Sequence, residues 1–390
     1  MRVSQKMKIA QVSVYFYPAM IGGIEWYIRN ISKELVKRGH EVHIFTVNAK
    51  DGKSLGPSEE VFEGIHIHRL PILFDISYRL KFWPTLLFRI LREKFDVIHV
   101  YDYITMHAML VPLLRVLKDI KTVLMIYDIH HLVPRRPVKY IPLAFFDKYF
   151  SRLVLRRYNR LLIRTSLLID PILKMGAKKD QIRITPSGIR SESLEEYNGD
   201  IFKKRFGIDG PIILYLGRLH PMKGPQVLIK AVPNIIKDIP DAKFVIIGPD
   251  QVNYKKILEN LRRKLHVEDY VHILDPIYNI KEKMQAYASC DVFVLPSGYE
   301  GFGQVLVEAM AQGKPIVATN AGSIPNVVTD KKEGFLVKYG DYEELASKIK
   351  QILLTPELSR ALGNAGRKKA RQYTYEELAA QLEKIYLELK

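Results

Sequence analysis

Pro296-Ser297-Gly298-Tyr299-Glu300-Gly301-Phe302-Gly303-Gln304-Val305-Leu306-Val307-Glu308-Ala309-Met310-Ala311 follows an apolar run, Val292 to Leu295, and opens a helical pattern. A short apolar run followed by helical spacing reads as a strand handing over to a helix, the edge at which open α/β sheets bind ligands. Two carboxylates stand there. On one continuous helix Glu300 and Glu308 would be about 12 Å apart, too far to grip one small group. Gly301 and Gly303 instead place Glu300 on the loop and Glu308 two turns into the helix, with the amide-rich helix start between them. Acceptors at both ends and donors in the middle suit a ligand whose hydroxyls flank phosphates.

Outward from this block, short apolar runs alternate with helical patterns along the whole chain, which predicts parallel sheets covered by helices. The strand candidates of the first half are Lys8 to Val14, Glu41 to Val47, Asp96 to Val100, Thr122 to Ile126 and Leu161 to Ile163. Those of the second half are Ile212 to Leu216, Lys243 to Ile247, Val271 to Leu274, Val292 to Leu295, Ile316 to Ala318 and Gly334 to Val337. Two Rossmann-like units result. Pro186-Ser187-Gly188-Ile189 and the acidic, aperiodic stretch from Ser191 to Asp200 read as the linker between them.

The strand Ile212 to Leu216 ends in Gly217-Arg218-Leu219-His220-Pro221-Met222-Lys223-Gly224. Glycines at a strand end let backbone approach a ligand, and Arg218 and Lys223 add a forked and a point cation, a combination suited to a diphosphate. The alternative is that the two cations brace the loop against linker acids such as Glu195 and Glu196. Gly248, closing the next strand, is a candidate for the same pocket.

Glu300, seven intervening residues and Glu308, set in Pro-Ser-x-x-Glu-Gly-Phe-Gly and followed by Glu-Ala-Met-Ala-x-Gly-x-Pro-Ile-Val-Ala, resembles the Glu-x7-Glu signature of the retaining glycosyltransferases of family 4. Gly217 to Gly224 is similar to the family's Gly-Arg-Leu-x-x-x-Lys-Gly element. The resemblance covers essentially the whole chain, most specifically Gly217 to Gly340. It implies a GT-B fold, with two Rossmann-like domains whose parallel sheets face a central cleft. Residues 1–190 would form an acceptor-binding domain, joined by a C-terminal helix at about 376–390 that crosses back, and residues 205–375 a domain for a nucleotide sugar.

On the donor side the resemblance implies that Arg218 and Lys223 neutralise the departing diphosphate, that Glu308 contacts the ribose, and that Glu300, Gly301, Phe302 and Gly303 face the sugar. Catalysis in this family is described as a front-face displacement through an oxocarbenium-like state, with no enzyme nucleophile. In the first half, Tyr17-Pro18-Ala19-Met20-Ile21-Gly22-Gly23-Ile24-Glu25 matches the family's Pro-x-x-x-Gly-Gly-x-Glu loop. Gly22 and Gly23 would then face the donor phosphate and the acceptor, while Glu25 either joins them or caps the helix. Many relatives have His-Asp at the end of the fourth strand; here the chain reads Tyr127-Asp128-Ile129-His130-His131. Asp128 and His130 are the candidates for that role.

The chain contains no Asp-x-Asp triplet, and cations with a helix start can stabilise a diphosphate without metal, so neither metal nor cofactor is expected beyond the nucleotide-sugar co-substrate. His66-x-His68 reads as one face of a strand, with no carboxylate or third ligand nearby in sequence to complete a metal site.

Composition narrows the setting. The 390 residues, 47% hydrophobic, suffice for two cored domains, and the lone Cys290 excludes an internal disulfide. No signal-peptide pattern or long apolar run is evident, so a cytoplasmic protein is expected, with a peripheral place on the inner face of the membrane. The net charge is +18, of which residues 1–190 carry +16 and residues 191–390 only +2, implying an anionic partner for one domain.

Residues 135–164 hold nine Lys or Arg against one acid, Asp147. Lys148, Arg152, Arg156, Arg160 and Arg164 recur every four residues, as a basic stripe on one helix would, with Phe145, Phe146, Tyr149, Phe150, Leu153 and Val154 on the adjoining faces. This is the composition of a helix lying on an anionic membrane surface, or of an ordinary amphipathic helix packed on its own sheet. Tyr78-Arg79-Leu80-Lys81-Phe82-Trp83-Pro84 is a second basic, aromatic segment. A lipid-linked acceptor is therefore expected, with a soluble small molecule or sugar as the alternative. A nucleotide-sugar epimerase fits the Glu-Gly-Phe-Gly block less well, and the charges lie in no recognised nucleic-acid module, so nucleic acid is not an expected partner.

Overall fold

The computed structural model of the 390-residue chain describes residues 6–19, 23–75, 81–116, 118–127 and 148–389. The chain divides into two units, residues 1–187 with 375–390, and residues 188–374.

The first unit is built on β1 (Lys8–Val12), β2 (Glu41–Val47), β3 (Glu59–Phe62), β4 (Ile65–Leu70), β5 (Val97–Tyr101), β6 (Lys121–Ile126), β7 (Arg160–Ile163) and β8 (Ile182–Ile184). The sheet order is β8-β7-β6-β5-β1-β2-β4-β3, parallel except for the β3–β4 pair. The central strands are apolar and buried on both faces, as a sheet covered on two sides requires.

The second unit is a six-stranded parallel sheet of β9 (Ile212–Leu216), β10 (Lys243–Ile247), β11 (Val271–Leu274), β12 (Val292–Leu295), β13 (Ile316–Thr319) and β14 (Gly334–Val337), in the order β11-β10-β9-β12-β13-β14. Sequence order reverses direction between β9 and β12, which lie side by side with Ile213 opposite Val292 and Leu214 opposite Phe293. Such a switch point leaves a crevice beyond the carboxyl ends of the two strands. Both motif loops of the second half start there.

Four helices continue or flank the motif loops: α1 (Gly23–Lys37), α2 (Pro225–Ile236), α3 (Ile280–Ser289) and α4 (Gln304–Ala311). A fifth, α5 (Tyr375–Leu387), ends the chain and belongs to the first unit. Its buried Leu378, Leu382 and Tyr386 form one stripe that joins α1 residues Tyr27, Ile31 and Leu35 in a common core over the sheet. Polar ties accompany this packing. Arg38 Nε donates to Glu383 at 2.8 Å, and His40 Nε2 lies 3.0 Å from the same carboxylate. Met7 N donates to His40 Nδ1, so the Nε2 nitrogen carries the ring proton and donates to Glu383.

Several expectations are corrected. The basic stripe does not exist as one helix: the helix Ser151–Leu155 ends before Arg156, Arg160 begins β7 and Arg164 follows it. Burial decides this, because Leu161, Leu162 and Ile163 are all fully covered within the sheet. Lys148, Tyr149, Phe150, Arg152, Leu153, Arg156 and Arg157 are nonetheless exposed. Phe145, Phe146 and the rest of 135–147 lie outside the described residues, as do 78–80.

The acidic linker is also tied down. Ser191–Leu194 forms a 3-10 turn, Gln312 Nε2 donates to Ser193 O and Glu195 O, and Arg367 donates to Leu194 O, all within the second unit. His66-x-His68 has carboxylates and a third histidine nearby after all, brought by strand pairing. His43 Nδ1 lies 2.8 Å from His68 Nε2, His43 Nε2 2.8 Å from Glu41, and His68 Nδ1 2.5 Å from Glu59. These nitrogens face one another and the carboxylates, not a common centre. No helix among the described residues is long and apolar enough to cross a membrane.

Candidate functional site

Beyond β9 and β12, two loops meet. Gly298 N donates to Met222 O at 2.7 Å, and Ser297 Oγ donates to Lys223 O at 3.3 Å. Glycine makes this closeness possible at two places. A Cβ on Gly224, whose φ is +76°, would lie 1.9 Å from Pro296 O, and one on Gly248 would lie 1.8 Å from Gly217 O. Gly248 thus serves the approach of two loop backbones, with Gly217 N donating to Ile247 O beside it. Gly303, at φ +86°, turns the chain into α4, while a Cβ on Gly301 would meet nothing within 4 Å.

Within this frame Lys223 Nζ donates to Glu300 Oε1 at 2.7 Å, and Ser297 Oγ donates to the same oxygen at 2.9 Å. Lys223 is therefore held across the loop by a motif carboxylate, not by the linker; Glu196 pairs with Arg367 instead. Arg218 has no carboxylate or carbonyl partner for its guanidinium among the described residues. An exposed arginine at a switch point, with no such partner, offers its five donors to an oxyanion. Tyr215, beneath the loop, donates to Arg218 O, and burial holds its phenol far above the usual range.

Glu308 is the fifth residue of α4, a little over one turn in, not two. It is nearly fully buried, with Lys283 Nζ donating to Oε1 at 2.7 Å and Tyr287 Oη donating to Oε2 at 3.0 Å. Both come from α3, one turn apart on one face, and no motif in the sequence marks them. Phe302 turns its ring into the core against Tyr373, so its backbone is what a ligand can meet. Glu300, Arg218, Lys223, Gly217, Gly301, Gly303 and the buried Glu308 thus belong to one edge of one sheet.

In the first unit, Gly23 begins α1 and Glu25 is buried in its first turn. Gly22, Asp128 and His130 lie outside the described residues. Tyr127, in the histidine's place, sits at the carboxyl end of β6 with the Arg164 guanidinium 4.2 Å from its ring centre. Burial raises the Tyr127 phenol far above its ordinary range, Arg164 opposing. The Tyr127 and Tyr27 hydroxyls are buried without hydrogen-bond partners among the described residues. Arg164 has no carboxylate partner among them.

Comparison with known proteins gives a consistent picture. A family model described as Glycosyl transferases group 1 matches residues 198–369, and one described as Glycosyltransferase Family 4 matches residues 21–193. An uncharacterized glycosyltransferase of Methanocaldococcus jannaschii is 30% identical over 98% of this chain and 99% of its own length. A D-inositol 3-phosphate glycosyltransferase of Saccharomonospora viridis is 26% identical over 98% of this chain and 94% of its own. Among solved structures, the Anabaena protein Alr3699/HepE in complex with UDP superposes with a TM-score of 0.75 at 20% identity, covering 98% of this chain and 100% of the other. That likeness shows the fold, the GT-B arrangement of two parallel-sheet domains.

Proposed function

The chain belongs to the group 1 and family 4 glycosyltransferases, and from that premise we propose that it is a retaining, metal-independent hexosyltransferase using a UDP- or GDP-sugar. The observation that carries the reading is the uncommitted Arg218 beside Lys223, Glu300 and the start of α4. Arg218, Lys223 and the free amides of the helix start take the diphosphate, and Glu308 takes the ribose. Glu300, once Lys223 turns to the phosphate, faces the sugar hydroxyls. In the step itself, the C1–oxygen bond to the diphosphate breaks with its electron pair on the leaving oxygen. The acceptor oxygen bonds C1 from the same face, and its proton passes to the departing phosphate. The complex of HepE with UDP supports a nucleotide diphosphate as a ligand of this fold.

For the acceptor, a lipid-linked or membrane-surface hydroxyl is supported by the exposed Tyr149, Phe150 and Leu153 beside Lys148, Arg152, Arg156 and Arg157. Phe88 and Leu113 are further exposed apolar residues of the same unit. With that acceptor the enzyme works in the cytoplasm, peripheral on the inner membrane face. A second reading, a soluble anionic acceptor, is favoured by uncommitted Arg164 over Tyr127 and by the inositol 3-phosphate in the Saccharomonospora relative's name.

The test is thermal denaturation with UDP- and GDP-sugars in EDTA, for wild type, Glu308→Ala and Lys223→Ala. Stabilisation by one nucleotide family, weakened by both substitutions, is expected; at a ligand concentration of 100 Kd it amounts to about 2.7 kcal/mol. No stabilisation of folded protein by any nucleotide sugar would refute the donor assignment. Labelled transfer into lipid extract, against transfer to phosphorylated polyols, decides between the acceptors.

A further inference from the structure

Glu308 by itself meets only the donor half of a ribose hydroxyl. A sugar hydroxyl donates one hydrogen and accepts through its lone pairs, whereas an ionised carboxylate only accepts. The structure supplies the missing half. Lys283 Nζ donates to Glu308 Oε1 at 2.7 Å and makes no other hydrogen bond or ion pair among the described residues. Its ammonium has three donors, so two are left. Its side chain is 21% exposed while that of Glu308 is 6% exposed, so the lysine is the more open member of the pair.

Tyr287 stands on the closed side. Its ring is fully buried against Phe293, and its hydroxyl donates to Glu308 Oε2 at 3.0 Å. Burial and the neighbouring carboxylate keep the phenol protonated far above its ordinary range, so this donation persists across the pH range of the folded enzyme. The tyrosine fixes the carboxylate rotamer and consumes an inward lone pair, leaving the outward ones to a ligand. Lys283 and Tyr287 are four residues apart on α3, so a single helix face presents both to Glu308 on α4.

Resting on the assignment of Glu308 to the donor ribose, we infer that Lys283 is a specificity residue that reads the 2′,3′-diol together with Glu308, and that Tyr287 is the positioning residue behind them. The carboxylate accepts the two hydroxyl protons, and the ammonium donates to a hydroxyl oxygen. The pair selects ribonucleotides over 2′-deoxyribonucleotides, because removing one hydroxyl leaves a buried acceptor and a cation donor unmet.

The experiment is calorimetric titration of wild type, Lys283→Met, Lys283→Arg and Tyr287→Phe with UDP and GDP, and with the 2′-deoxy form of whichever binds. Wild type is expected to prefer the ribonucleotide about tenfold or more. Lys283→Met is expected to lose most of that ratio by weakening the ribonucleotide alone, and Lys283→Arg to restore part of it. Tyr287→Phe is expected to lower the ratio severalfold, with the KM for donor rising and kcat kept. Equal loss of both nucleotides in Lys283→Met would make the lysine a general phosphate cation and overturn the inference, as would an unchanged ratio. Should Lys283→Met not fold, Lys283→Arg and Tyr287→Phe carry the test, and a wild-type ratio in both overturns it. If folded wild type binds neither diphosphate, the donor reading itself fails, a different result from any of these.

Discussion

Lys223 Nζ lies 2.7 Å from Glu300 Oε1, so the cation offered by one motif loop is held by the carboxylate offered by the other. Both side chains are largely buried, and Ser297 Oγ donates to the same oxygen. Each group shields the other from an unpaired burial cost, and under the proposed donor reading a diphosphate entering beside Arg218 would compete for the lysine.

Lys223→Met is expected to lower kcat/KM by about 100-fold to 1,000-fold, the range for losing one donor aimed at developing charge. Glu300→Gln lowers it in the same direction. The double variant falls by much less than the product of the two, because each residue orients the other. Steady-state kinetics on the three proteins checks this; multiplicative losses would mean the contact is incidental.

Gly248→Ala gives a sharper structural test. The new methyl would sit 1.8 Å from Gly217 O, and because that neighbour is backbone the strand ends must part. Donor binding is expected to fall by about tenfold or more, with the melting temperature lowered by several degrees. Gly301→Ala, where nothing lies within 4 Å, should leave stability unchanged, and any loss it causes is confined to the bound sugar. Melting curves with and without nucleotide separate the two.

The central strands of the second unit are legible in the sequence because they are short apolar runs ending at a polar or glycine turn, and burial on both faces leaves such a run no other place. β3 and β4 are not: Glu59, Glu60, His66 and His68 carry polar side chains whose partners, among them Arg89, Arg69 and His43, come together only in the fold. The four-residue recurrence of Arg156, Arg160 and Arg164 misleads for the opposite reason. Leu161 to Ile163 sit inside it, and burying them outweighs any charge spacing. At the site, Glu300 and Lys223 are legible from motif loops, whereas Lys283 and Tyr287 acquire meaning only when α3 packs beside α4.

Acid sensitivity follows from two buried imidazoles. Burial depresses His99 and His107 to about 3, against an ordinary value of 6.5. Between those values the unfolded rings bind protons that the folded rings refuse. Stability contributed by each ring is therefore complete above pH 6.5 and falls as pH drops toward 3, by about 1.4 kcal/mol per unit per ring. Urea unfolding at about pH 7 and about pH 5.5, on either side of the ordinary imidazole value, should show the loss. His99→Gln should be less stable at neutral pH yet lose less on acidification. An equal loss in wild type and variant would remove His99 as a source.

The terminal helix supplies the last prediction. Glu383 on α5 is 6% exposed and receives donors from Arg38 and His40, both just beyond α1. Removing the carboxylate takes from the fully buried His40 ring the acceptor its Nε2–H now meets, and from Arg38 its ion-pair partner. Glu383→Leu is expected to cost about 3 kcal/mol, as breaking a buried pair does. Tyr386→Phe, which removes the hydroxyl 2.6 Å from His99 Nδ1, should cost about 1 kcal/mol. Because α5 belongs to the first unit, these losses should appear in its unfolding, while stabilisation by nucleotide, which the proposed donor site would place on the second unit, should be kept. Calorimetry with and without UDP resolves the two, and a variant that abolished nucleotide stabilisation while sparing the melting point would contradict the assignment of α5 to the first unit's core.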